Sequence, residues 1–161
     1  MENRLNGKVA LISGASGGLG AAQARMMAAE GARVFLGDLV PEGSEFRVPL
    51  RNLCGEISEK GGDADYLQLD VTQESSWVAF VNTAEKRFGK VNVLSNNAGI
   101  YLHKPLTEHS VEDFHHITNV NQLGVLLGMK TVVPAMERAG GGSIINFASI
   151  YGLAGAGIST A

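Results

Sequence analysis

The residues of this sequence best suited to chemistry form a run of small side chains, Ser13-Gly14-Ala15-Ser16-Gly17-Gly18-Leu19-Gly20. Glycines at this density let a chain turn sharply and let main-chain N–H groups approach an anion with no Cβ in the way. The run follows a strand-like apolar segment, residues 9–12, and opens an alanine-rich helical one, residues 18–30. In that setting the unpaired N–H groups of a helix N-terminus, with their partial positive charge, face a phosphate or pyrophosphate. Out of that setting the same glycines would be a plain connection.

Asp38 stands 18 residues after Gly20, at the end of a second strand-like segment over 33–36. An acid about 20 residues beyond a glycine turn is the expected acceptor of adenosine ribose hydroxyls in a dinucleotide site. A carboxylate there accepts two hydroxyls and repels a 2′-phosphate. No arginine or lysine lies within the turn or directly after Asp38, so the residues favour NAD over NADP. The plainer alternative is a solvated aspartate at a strand end.

These groups need a sheet to hold them. Short β-rich runs alternate with longer helical patterns, which predicts an α/β fold: a Rossmann-type, doubly wound parallel sheet with helices on both faces. Strands are expected over 9–12, 33–36, 66–69, 91–95 and 143–147, the third closing on Asp70. One helix is expected from Thr72 and Gln73 to Phe88, stopped by Gly89. A long one should start near Ser110, an N-cap candidate, and run towards Arg138 with a kink or stop at Pro134. Residues 41–62 read as an irregular insertion with a helix over 53–60; the part around 46–54 is expected as a surface loop. Residues 1–161 are expected to form a single NAD-binding domain, incomplete at its C-terminal end.

The 161 residues carry 13 basic and 16 acidic side chains, a net charge of −3, with no basic stripe for a nucleic-acid backbone. The apolar runs are far shorter than the roughly 20 residues that span a bilayer, so no membrane partner is expected. Cys54 is the only cysteine, which excludes an intramolecular disulfide and suits a cytoplasmic protein.

The ordered segments resemble the short-chain dehydrogenase/reductase family over essentially the whole length. The turn matches the family's T-G-x-x-x-G-x-G with Ser13 in place of threonine and Gly14, Gly18 and Gly20 in register. Asp70-Val71 resembles the family's Asp-Val pair, Asn96-Asn97-Ala98-Gly99 its N-N-A-G segment, and Asn121-Gln122-Leu123-Gly124 its Asn-x-x-Gly. Gly142-Ser143-Ile144-Ile145-Asn146-Phe147-Ala148-Ser149 resembles the fifth strand, which ends on the catalytic serine. The resemblance leans towards members that oxidise secondary alcohols or reduce ketones, including hydroxysteroid dehydrogenases. The run from Leu126 to Met136 supports this weakly.

That resemblance implies a cofactor site of Gly14, Ser16, Gly18, Leu19, Gly20, Asp38, Leu39, Asp70, Val71, Asn97, Ala98 and Gly99. It implies catalytic roles for Ser149, which would hydrogen-bond the substrate oxygen, and for Asn121, which would hold a water in the proton relay. The family's proton is moved by a tyrosine whose pKa is lowered by a lysine four residues on. No Tyr-x-x-x-Lys occurs in residues 1–161, and the family spacing puts the pair at positions 162 and 166 of a longer chain. Tyr151 is expected to line the substrate pocket. A small-molecule alcohol or ketone is the expected substrate, and a homodimer or homotetramer the expected assembly.

Two other readings stay open. One is a catalytically silent dinucleotide-binding or regulatory fragment. The other, a methyltransferase on a similar sheet, is disfavoured by the N-N-A-G and serine segments. His109, Glu112 and His116 could share a helix face and hold a metal, but adjacent His115 and His116 point apart; no metal is expected.

Overall fold

A computed structural model of the chain describes residues 3–39 and 48–153. Every residue of β1 (Val9–Ser13) is buried, as are all of β2 (Arg33–Asp38) from Val34 onward. Strands without a polar face must be covered on both sides, which parallel sheets achieve with crossover helices. β3 (Asp63–Gln68), β4 (Val93–Asn96) and β5 (Ser143–Asn146) complete the sheet. Its order is β3-β2-β1-β4-β5, and each neighbouring pair is parallel. The expected doubly wound Rossmann-type architecture is therefore present. The strand order reverses between β1 and β4, where the carboxyl ends of a doubly wound sheet open a crevice.

The helices are α1 (Gly18–Ala29), α2 (Leu50–Glu59), α3 (Glu74–Phe88), α4 (Val111–Thr118) and α5 (Gly124–Arg138). Alternate residues of β1 feed two apolar layers. Val9 and Leu11 join Phe35, Trp77, Phe80, Leu94 and Val132 on the α3/α5 side. Ala10 and Ile12 join Ala24, Val34, Leu36, Leu53 and Ile57 on the α1/α2 side. Trp77, with no exposed surface, donates its indole N–H to the Val71 carbonyl at 3.0 Å and so ties α3 to the loop after β3.

Four sequence expectations are corrected. The third strand begins at Asp63, three residues before Tyr66, because main-chain pairing with β2 sets Asp63 opposite Arg33. Asp63 and Asp65 remain at the surface, where Arg87 pairs with them at 2.8 and 3.3 Å. An edge strand can carry such charges, which hides it from a hydrophobic pattern. The loop expected around 46–54 is helical from Leu50, since Leu50, Leu53, Cys54 and Ile57 form a buried face. Residues 46 and 47 of that segment, and 41–45 of the wider insertion, lie outside the described residues.

The long helix is not continuous. Ser110 caps α4 as expected, its hydroxyl accepting the Asp113 N–H while the Asp113 carboxylate accepts the Ser110 N–H. A π-helical segment, Asn119–Leu123, then separates α4 from α5. Pro134 does not end α5, which runs on to Arg138. The lost main-chain bond is offset by burial of Val132, Ala135 and Met136 around it.

Candidate functional site

The site starts from the turn between β1 and α1. Gly14 has φ +64°, and a Cβ on it would sit 2.7 Å from the Ala98 Cα. The turn thus lies against the segment that leaves β4. A Cβ on Gly20 would fall 2.2 Å from the Gly14 oxygen, so the second position is fixed by close approach as well. The N-cap of α1 is Gly17; no side chain caps the helix and no acid lies in its first turn. A Cβ on Gly18 would meet nothing within 4 Å, and Leu19 is two-thirds exposed. The start of α1 thus has no side-chain cap on its first N–H groups, the kind of helix end that suits an anion, although Gly18, Leu19 and Gly20 do not line the cleft at the strand ends.

Asp38 ends β2 beside this turn. It is only 7% exposed, and among the described residues three donors hold its carboxylate. The Ser16 N–H and hydroxyl reach Oδ2 at 3.1 and 2.5 Å, and the Leu39 N–H reaches Oδ1 at 2.8 Å. Hydrogen bonds to an ionised acceptor are the stronger kind and fix its direction. Ser16, 1% exposed, is thereby bound to Asp38 and does not itself line the cleft.

A cleft of about 240 Å³ opens at the strand ends, lined by Gly14, Asp38, Leu39, Asp70, Val71, Ala98 and Gly99 together with Leu69, Ile100, His116 and Val120. Seven of the twelve cofactor residues expected from sequence thus share one wall. Asp70 is held by the Thr72 N–H and hydroxyl at 2.9 and 2.7 Å. Asn97 stands behind the lining: its Nδ2 donates to the Ser13 and Gly14 carbonyls, each at 3.1 Å. The Ser13 hydroxyl accepts the N–H groups of Asn97 and Ala98, both at 3.1 Å.

Ile100, Val120 and His116 were not among the expected site residues. His116 and Val120 are one helical turn apart, so they face the cleft together. His109 precedes α4 and shares no helix face with Glu112 and His116. Among the described residues, no group of three His, Cys, Asp or Glu could hold a metal ion.

The two expected catalytic residues lie further along the same strand ends. Asn121 is in the π-helical segment, where Oδ1 accepts the Ile100 N–H and Nδ2 donates to the Ile100 carbonyl, both at 2.9 Å. Its amide is spent on joining that helix to the segment after β4. Ser149 follows β5, exposed, with Oγ accepting the Tyr151 N–H at 3.2 Å. Tyr101 stacks near-parallel on Tyr151 at 6.4 Å and on His103 at 6.0 Å. The loop carrying Tyr101 is pinned to α4 by Lys104 and Asp113, 2.5 Å apart. The lysine, then the Ser110 N–H, hold the Asp113 carboxyl below the usual carboxylate range.

Known proteins share this arrangement. Residues 8–161 match the pattern of the short chain dehydrogenase family. A 2,5-dichloro-2,5-cyclohexadiene-1,4-diol dehydrogenase of Sphingobium indicum is 43% identical over 153 residues, 95% of this chain and 59% of the relative. A 3-alpha-(or 20-beta)-hydroxysteroid dehydrogenase of Mycobacterium tuberculosis is 44% identical over 155 residues, 96% of this chain and 56% of the relative. The crystal structure of an NAD+-bound xylitol dehydrogenase superposes with a TM-score of 0.88 at 32% identity, covering 97% of this chain and 58% of that one. The chain therefore spans less than two thirds of the length of these relatives. A match that runs from the start of β1 through β5 settles the kinship: the chain belongs to the short chain dehydrogenase family.

Proposed function

We propose that this chain is the cofactor-binding part of an NAD-dependent oxidoreductase that interconverts a secondary alcohol and a ketone. The observation that carries the proposal is Asp38, clamped by Ser16 and Leu39 in the wall of a cleft that begins at Gly14. In this reading the Asp38 carboxylate accepts the adenosine ribose hydroxyls and disfavours a 2′-phosphate, while Asp70 and Val71 border the adenine. The N–H groups at Gly18, Leu19 and Gly20 take the diphosphate, and Ala98 and Gly99 form the floor leading towards Ser149. The nicotinamide, when bound, supplies or accepts the hydride.

The chain's own residues then have separate tasks. Ser149 donates a hydrogen bond from its hydroxyl to the substrate oxygen and keeps its proton, and Asn121 keeps the segment after β4 in place and borders the proton relay. The stacked Tyr101 and Tyr151 offer a flat apolar wall beside Ser149, which suits a ring-borne alcohol. Two relatives are named for ring substrates, a cyclohexadienediol and a hydroxysteroid. The proton-transferring tyrosine and its lysine are assigned to positions 162 and 166 of a longer chain. The proposal extends to a cytoplasmic homodimer or homotetramer that covers Val111 and Phe114 of α4 and Leu126 and Val133 of α5, all exposed in one copy.

Calorimetric titration with NAD+ and NADP+ tests the cofactor, and NADH formation from cyclic secondary alcohols tests the reaction. Tighter binding of NADP+ would overturn the role of Asp38. NAD+ binding with no turnover, and residues other than Tyr and Lys at 162 and 166, would leave a silent binding protein instead.

A further inference from the structure

We propose that Gln23, on the second turn of α1, is a positioning residue that sets the diphosphate end of the cleft through a directional chain of side-chain hydrogen bonds. The inference rests on the dinucleotide reading above. Gln23 lies outside the cleft lining and is half-buried between α1 and β4. The Ser95 hydroxyl, fully buried, donates to Gln23 Oε1 at 2.6 Å. Gln23 Nε2 donates to Asn97 Oδ1 at 3.0 Å. Asn97 Nδ2 in turn donates to the carbonyls of Ser13 and Gly14. The Ser13 hydroxyl closes the circuit by donating back to the Ser95 carbonyl at 3.4 Å.

The direction of donation leaves one arrangement. A serine hydroxyl has a single proton, and an amide has a donor end and an acceptor end. Turning either amide over would bring carbonyl oxygen against carbonyl oxygen in a part-buried site, which is costly. Gln23 thus fixes the Asn97 amide, and Asn97 fixes the carbonyls of the turn. The same contact holds α1 at a set distance from β4. The space left by the missing Gly20 Cβ shows how tight this is: Asn97 Nδ2 would lie 2.8 Å from it. The α1 N–H groups and the Ala98-Gly99 floor belong to different elements, and Gln23 is the side chain that spaces them.

The test is ligand binding by Gln23→Glu and Gln23→Met on the full chain, each compared with the parent for NAD+, ADP and adenosine. Glutamate keeps the acceptor for Ser95 but has no N–H for Asn97 and sets a negative charge against its Oδ1. NAD+ and ADP should bind about tenfold more weakly to Gln23→Glu and about fivefold more weakly to Gln23→Met. Adenosine, which meets only the Asp38 and Asp70 side, should bind both variants within about twofold of the parent. Equal losses for all three ligands, or no loss, would overturn the proposal. A variant that does not fold hands the test to Ser95→Ala, which releases Oε1 without changing the helix; there a loss of about threefold confined to NAD+ and ADP is expected, and its absence overturns the proposal. A parent that binds adenosine but neither NAD+ nor ADP would overturn the dinucleotide reading and this inference with it.

Discussion

The two ends of the crevice are held by different means. At the end proposed for the adenosine and diphosphate, β1 and β2 are buried along almost their whole length, and the polar groups are joined across distant parts of the chain. Ser16 reaches Asp38, Gln23 reaches Ser95 and Asn97, and Asn97 reaches Gly14. At the other end, β5 leaves Ser143 and Asn146 exposed, and Ser149 is bonded to an N–H two residues away. Ile150 and Leu153, next to it, are 73% and 93% exposed. Among the described residues, one end is fixed by the packing of the sheet centre and the other by local turns. Changes at the first should move binding and stability together, whereas changes at the second should move turnover alone.

Ser149→Ala gives the largest separation. On the role proposed for Ser149, the variant loses a hydrogen-bond donor to a developing oxyanion, so kcat of the longer chain should fall about 10²- to 10³-fold while the Kd for NAD+ stays level. Comparable changes in both would mean that the two ends are coupled. Gly20→Ala should do the opposite: its Cβ collides with the Gly14 oxygen, and about 1–3 kcal/mol of stability should be lost with about tenfold or more in NAD+ affinity. Gly152→Ala is the matched control near Ser149, where a Cβ meets nothing within 4 Å; its Tm should equal the parent's in a thermal scan. Asp38→Ala sits between these extremes. It should narrow the preference for NAD+ over NADP+ by about tenfold, read as a ratio of Kd values, and a widened ratio would reverse the assignment.

The same contrast explains what could be read before the fold was known. The glycine turn and Asp38 were legible because local spacing carries them: a strand, a turn, a helix, and an acid one strand later. Ser110 was legible as a cap for the same reason. Gln23 and Ser95 were not, since their meeting depends on α1 crossing β4 and leaves no interval in the sequence. Asp63 hid the start of β3 because main-chain pairing, not burial, recruits an edge strand. The π-helical segment at Asn121 escaped because the apolar pattern runs through it, while the bond to Ile100 comes from elsewhere in the fold. Leu50, Leu53, Cys54 and Ile57 do show helical spacing, so the start of α2 is legible in the sequence as well.

A smaller effect tests whether the adenosine end extends to its outer helices. Arg25 of α1 forks onto Glu56 of α2 at 2.7 to 3.0 Å, and Lys60 adds a second cation at 2.8 Å. Hydrogen bonds from Arg25, then from Lys60, hold the Glu56 carboxyl down at about 2, against an ordinary value of 4.5. A group depressed in the folded state stabilises the fold above its unfolded value, and that contribution is lost as pH falls through the folded one. Glu56→Gln should therefore lower Tm by a degree or two at about pH 6, the size expected of a solvent-screened pair. The gap should close progressively between about pH 4.5 and about pH 2, because the parent's own carboxyl is then protonated. A gap that stayed constant across that range would assign the loss to packing between α1 and α2 and not to charge, placing these helices outside the electrostatic frame that holds the crevice.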